Sequence, residues 1–209
     1  MKTRSKALLL TLCAVALVVA TVFGTMAYLT STDTVTNTFT VGNVAITLDE
    51  AKVDTDGKAV TPAERVKENN YKLMPGHTYT KDPTVHVAAN SENSYIFVKL
   101  DNGIANFEAA TSTTEGGYKK IAEQITANGW AKLEGVDGVY YKEYTSSNAV
   151  TDIKVFETFK IADNANTTDG WGQLSGATVT VTAYAVQKDG FDTATAAWDA
   201  TFGAQPSGT

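Results

Sequence analysis

Residues Thr178 to Gln187 alternate without a break: Val179, Val181, Ala183 and Ala185 fall on one side, and Thr178, Thr180, Thr182 and Tyr184 on the other. A period of two is the signature of a β-strand with one apolar face and one polar face. The same signature recurs along the chain. Val85 and Val87 alternate within Thr84–Ala88, a second run covers Tyr95–Leu100, and a third covers Val139–Tyr144. Ile153, Val155, Phe159 and Ile161 mark a strand within 152–161. From Thr30 to Thr40 every even position is threonine, while Leu29, Val35, Phe39 and Val41 occupy odd positions. Alternation with β-branched residues predicts a strand there as well. After the Gly42-Asn43 turn, Val44, Ile46 and Leu48 predict the inward face of the next strand.

Between these runs lie turn signals. Leu73-Met74-Pro75-Gly76 is a tight turn, because proline presets one dihedral and glycine supplies the positive one. Asn90-Ser91-Glu92-Asn93 predicts a turn that makes 84–88 and 95–100 an antiparallel hairpin, and Gly135-Val136-Asp137-Gly138 joins Trp130–Leu133 to Val139–Tyr144 in another. Residues 49–70 are charged and read as a surface insertion, with a short exposed helical turn over Ala63–Asn69. Tyr118, Ile121, Ala122 and Ile125 stand at helical spacing, with Gly129 as the stop. A second short helix around Ala194–Phe202, capped by Asp192, is expected to cover an open end of the core with Trp198 and Phe202. Seven or eight short strands with one or two inserted helices predict an all-β fold, a jelly-roll-like antiparallel β-sandwich over residues 28–203. Residues 204–209 read as a flexible tail.

The N-terminus has a different character. Lys2, Arg4 and Lys6 precede an apolar run from Ala7 to Phe23, and Gly24 then leads to the small residues of Thr25-Met26-Ala27. A charged n-region, an apolar h-region and a small-residue site make a secretory signal peptide over residues 1–27, cut between Ala27 and Tyr28. The run also touches the lower length limit for a spanning helix, so an uncleaved anchor is the alternative reading. The whole chain has 17 basic and 23 acidic residues among 209, a net charge of −6. Cleavage removes three basic residues and no acidic ones, so the exported product of 182 residues carries −9. That balance argues against a nucleic-acid partner, which would need a basic stripe. Cys13, the one cysteine, leaves with the signal, which excludes thiol catalysis and thiolate metal sites from the exported product.

Little in the chain points to catalysis. His77 and His86 are the only histidines; they do not stand one helical turn apart around a glutamate, as a zincin requires. His77 lies in a turn, and His86 alternates with Val85 and Val87, away from the apolar face. Two solvated histidines are the plainer reading; convergence on a metal would need Asp82 or Glu92 as a third ligand. Asp54-Thr55-Asp56-Gly57 opens like a calcium loop, but Lys58 follows and the glycine comes early, so an acidic turn is expected. Tyr140, Tyr141 and Tyr144 read as strand packing, with Tyr141 on the opposite face and available to a carbohydrate or partner. Trp171, between Gly170 and Gly172, reads equally as a contact residue or a buried loop anchor. No cofactor is expected.

Three segments carry a resemblance. Gly24-Thr25-Met26-Ala27-Tyr28-Leu29 followed by Thr38-Phe39-Thr40-Val41-Gly42-Asn43-Val44 resembles the export signal and first strands of the TasA/camelysin family of secreted Gram-positive proteins. The Leu73-Met74-Pro75-Gly76 turn with Lys81-Asp82, and the long penultimate strand Val179–Gln187, match in the middle and at the end. The resemblance implies a jelly-roll subunit of extracellular biofilm-matrix fibres, processed by a SipW-type signal peptidase and associating with copies of itself. It touches a membrane only through the uncleaved signal. It further implies assembly by strand donation, for which the candidate strand is 28–40, with Leu29, Val35, Phe39 and Val41 as the alternating contacts. The same segment also fits the first strand of its own sheet. Some camelysin-type proteins are classed as metallopeptidases, which makes a secreted peptidase one alternative; a monomeric surface adhesin is another.

Overall fold

The computed structural model describes residues 6–8, 10–18, 42–147 and 151–203. The chain divides into two units, 1–41 and 42–209. In the first unit the described residues are helical, and Leu8, Leu10 and Leu12 are exposed. Among the described residues no helix is long and apolar enough to cross a membrane. The predicted cleavage residues Ala27 and Tyr28, the candidate donor residues Leu29, Val35, Phe39 and Val41, and the tail 204–209 lie outside the described residues.

The second unit is an all-β sandwich with short inserted helices. One sheet has the order β2-β1-β4-β8, from β1 (Ile46–Ala51), β2 (Arg65–Val66), β4 (Thr84–Val87) and β8 (Asp152–Lys154). The other has the order β10-β5-β7-β6, from β5 (Ser94–Asn102), β6 (Ala131–Lys132), β7 (Val139–Tyr144) and β10 (Val179–Gln187). A small third sheet pairs β3 (Thr78–Thr80) with β9 (Thr158–Lys160). Every pairing among these named strands is antiparallel.

The alternation seen in the sequence sets which side chains meet. Val85, Val87 and Ile153 from one sheet and Ile96, Val98, Tyr140 and Tyr144 from the other close a single core, with Tyr79, Phe156 and Phe159 beneath. The odd residues Tyr95 and Phe97 of β5 point the other way, and α2 (Ala194–Thr201) covers them. Trp198 lies 5.2 Å from Phe97 and 5.4 Å from Tyr184, ring centre to ring centre. α2 therefore shields the outer face of a sheet; it does not plug an end of the core. Its cap is also not Asp192: the Thr193 hydroxyl accepts the Ala196 N–H at 3.1 Å.

Other expectations change for identifiable reasons. Segments 84–88 and 95–100 form no hairpin; β4 pairs with β1 and β8, while β5 pairs with β10 and β7, so the intervening turn carries the chain between sheets. The 152–161 strand is two strands in different sheets, β8 and β9. No helical turn forms at 63–69, because Arg65 and Val66 pair with Ala51 and Glu50. The predicted helix is present as α1 (Ile121–Ala127), and Gly129 follows it with φ +82. A buried glutamate opens this helix: Glu108 accepts hydrogen bonds from Ile121 N, Tyr118 OH and Asn102 Nδ2. The 130–144 hairpin forms as expected, as β6 and β7. So does the Leu73–Gly76 turn, closed by His77 N–H on Met74 O with Gly76 at φ +77.

Candidate functional site

The two sheets meet along two seams, and the seams are finished differently. Along one, α1 and the segment after it cap the backbone of 154–158. The Trp130 indole donates to Lys154 O at 2.9 Å, Asn128 Nδ2 to Val155 O at 3.1 Å, and Gln124 Nε2 to Thr158 O at 2.8 Å. Gln124 Oε1 accepts from Glu157 N and Thr158 N. Lys142 Nζ closes onto Asn128 O at 3.0 Å. A strand edge covered in this way offers no template for further pairing.

The other seam is open. Among the described residues β10 is the last strand of its sheet and pairs only with β5. Gly103 N–H bonds to Thr178 O and Lys188 N–H to Asn93 O, so even-numbered residues of β10 spend their backbone groups on β5. The N–H and C=O of Val179, Val181, Ala183, Ala185 and Gln187 therefore face the opposite edge. β1 presents a matching edge. Ala88 N–H bonds to Ala45 O, so odd residues of β1 face β4, whereas Ile46 and Leu48 turn their backbone groups outward. Only from Glu50 onward does β2 cover that side. Lys67 Nζ caps the Leu48 carbonyl.

These edges border a groove of about 930 Å3, walled by Leu48–Glu50, Lys67–Tyr71, Leu73 and Thr178–Val181. Its lining mixes apolar side chains, among them Ile104, Phe159, Leu174 and Val179, with charged ones, among them Asp49, Glu50, Lys67 and Lys81. Leu48, Leu73, Val179, Val181, Ala183 and Ala185 are packed on the core yet only half-buried. Half-buried apolar side chains on an unpaired strand edge are what one more strand would cover.

The residues singled out in the sequence fall in several places. Trp171 is a loop anchor and a wall at once: it is half-buried, meets Phe107 edge-on at 6.0 Å, and lines the groove. Tyr140 and Tyr144 belong to the main core, and Tyr141 stands on the opposite face beside the α2 cluster. His77 is exposed, 6.4 Å from the Tyr79 ring, and shares no partner with His86. His86 is not a solvated histidine, because Asp152 and Asp49 hold its two ring nitrogens. Asp82 answers Arg65 and stands in no histidine cluster. No group of three or more His, Cys, Asp or Glu is placed to hold a metal ion among the described residues. The Asp54 loop binds its own backbone, with Asp54 Oδ1 accepting from Asp56 N at 3.0 Å and Lys58 N at 2.8 Å.

Sequence reading missed the groove because it is a property of two edges 130 residues apart. The one available signal was the small size of Ala183 and Ala185 on an otherwise strong strand. Compared with known protein families, characterised proteins and solved structures, the chain has no match.

Proposed function

We propose that this chain is a secreted structural subunit that builds extracellular fibres by strand donation, with the groove between β1 and β10 receiving residues 28–40 of another copy. The observation that carries the reading is the asymmetry of the two seams among the described residues: one is capped by side chains, and the other shows two backbone edges and a row of half-buried apolar side chains with no strand across them. Main-chain pairing supplies affinity in such a union, and alternate side chains supply register. Leu29, Val35, Phe39 and Val41 fall on one parity and would share one face of a strand, with Ser31, Asp33 and Asn37 between them on that face.

Asn43 O accepts from Glu92 N and Ala45 O from Ala88 N, so residues 43–45 continue the line of β1. A fold-back of 28–40 through the Gly42-Asn43 turn would fill the same edge within one chain and leave a monomer, so association itself separates donation in trans from that alternative. The resemblance to TasA/camelysin proteins points to the same assembly, with a SipW-type peptidase freeing Tyr28 after export and the product acting in the matrix or at the cell surface. The apolar, exposed helical residues of the first unit agree with a signal segment.

Deleting Tyr28 to Thr36 tests the reading. The expected product is a folded monomer that forms no fibres in light scattering and negative-stain microscopy, and that regains association when peptide 28–41 is fused to a carrier. Fibres from the deleted protein would overturn strand donation.

A further inference from the structure

At the charged end of the groove wall, three side chains stand in a relation that the assembly reading does not require. Glu50 is 4% exposed. One of its carboxylate oxygens holds Lys81 Nζ at 2.6 Å, and the other holds Asn69 Nδ2 at 3.0 Å. The lysine side chain is itself only 12% exposed. Asn69 is fixed in orientation: its Nδ2 also donates to Ala51 O at 2.8 Å, and its Oδ1 accepts the Val53 N–H at 2.9 Å. Burial of an ion pair is costly in itself.

The geometry points to a covalent amide between Lys81 and Asn69, formed by the protein on itself with Glu50 as the proton carrier. Lys81 gives a proton to Glu50 Oε2, and the lone pair freed on Nζ attacks Cγ of Asn69. Negative charge develops on Oδ1, where the Val53 N–H already donates, as an oxyanion donor should. Glu50, whose other oxygen touches Nδ2, delivers the proton to that nitrogen. The Cγ–Nδ2 bond breaks and the Nζ–Cγ bond remains. The ammonium of Lys81 and the carboxamide of Asn69 become one secondary amide, and ammonia leaves carrying the second proton as ammonium ion. No oxidant or other reactant enters. One carboxylate holds both nitrogens, Lys81 Nζ on one oxygen and Asn69 Nδ2 on the other, so the proton carrier is in place for both ends of the exchange.

The product would join the segment after β2 to the link between β3 and β4, across Glu50 of β1. That cross-link stiffens the groove wall whether or not a strand docks there, so it stands independently of the assembly reading. The test is the intact mass of the full chain, with tandem mass spectrometry of its digest. The expected result is a protein one ammonia lighter than its sequence, with a branched peptide joining residues 69 and 81. Lys81→Arg and Glu50→Gln should each have the full sequence mass, and Asn69→Asp should instead lose one water. A wild-type chain that keeps its full mass after folding and prolonged incubation would overturn the proposal. So would an equal loss in Lys81→Arg, which would report a cyclised asparagine elsewhere.

Discussion

His86 presents both ring nitrogens to carboxylates: Nδ1 lies 2.7 Å from Asp152 Oδ1 and Nε2 lies 2.8 Å from Asp49 Oδ1. A neutral imidazole has one N–H and can satisfy only one of them, so the arrangement specifies the imidazolium. The pKa of His86 is raised accordingly, first by the hydrogen bond to Asp152 and then by that to Asp49, against the opposing effect of burial. Burial pushes the Asp49 carboxyl up, but the hydrogen bonds from Arg65 and His86 outweigh it and leave its pKa lowered. Across the sheet this makes a row of alternating sign: Arg65 on β2, Asp49 on β1, His86 on β4 and Asp152 on β8. Arg65 also reaches Asp82. Because the folded pKa lies above the unfolded value, the contribution of His86 is complete below about pH 6.5 and is lost as pH rises through the raised folded value. His86→Gln should therefore cost about 1 kcal/mol near pH 5, a figure already reduced for solvent screening, and almost nothing near pH 9. Urea unfolding of both proteins across that range checks it; a pH-independent difference would refute the row as a proton-linked stitch. The outward direction of His86 was readable from Val85 and Val87, but its partner Asp152 is 66 residues away and no local pattern could supply it.

At the scale of elements, the long strands were legible because both faces of β10 and the inner face of β4 obey a strict period of two. The two- and three-residue strands β2, β8 and β9 were not, since pairing partners far along the chain fix them, not their own propensities. Pairing of β4 with β1 and β8 in place of β5 follows the same logic: tertiary burial of Val85 and Val87 decides which strands adjoin, and a turn sequence does not. The parity of β10 gives a sharp prediction. Thr182 faces β5 through its pair with Lys99, so Thr182→Pro removes a ladder bond, leaves the Lys99 carbonyl without its donor and should cost about 1–3 kcal/mol. Ala183 turns its N–H toward the groove, so Ala183→Pro removes a donor from the open edge and spares the ladder. The second variant should keep a near-native melting temperature, by circular dichroism, and fail to associate, by light scattering. Association equal to wild type in a folded Ala183→Pro protein would show that the β10 edge is not the acceptor.

On the scale of the whole molecule, composition set the sign of charge and the period of two set the all-β class, with which the sandwich agrees. What neither could hold is the difference between the two seams, which arises when Gln124, Asn128 and Trp130 of the helical insert reach 154–158 while, among the described residues, nothing comparable reaches β10. If copies assemble as proposed, charge bears on how they meet. The proposed product beginning at Tyr28 would carry −9, and the groove lining includes Asp49, Glu50 and Glu68 beside Lys67 and Lys81. Like-charged subunits repel over a distance set by the Debye length, about 10 Å at 0.1 M salt, so stacking is opposed at low ionic strength and neutral pH. Raising the salt concentration screens the repulsion, and lowering the pH into the carboxylate range reduces it. The rate of fibre growth from protein beginning at Tyr28, followed by light scattering, should rise with either change. The two changes separate long-range repulsion from local chemistry, because salt screens net charge while acid also protonates individual carboxylates. If growth quickens on acidification and ignores salt, protonation of carboxylates where copies touch is the gate and not the net charge; if salt and acid act alike, repulsion between whole subunits sets the rate.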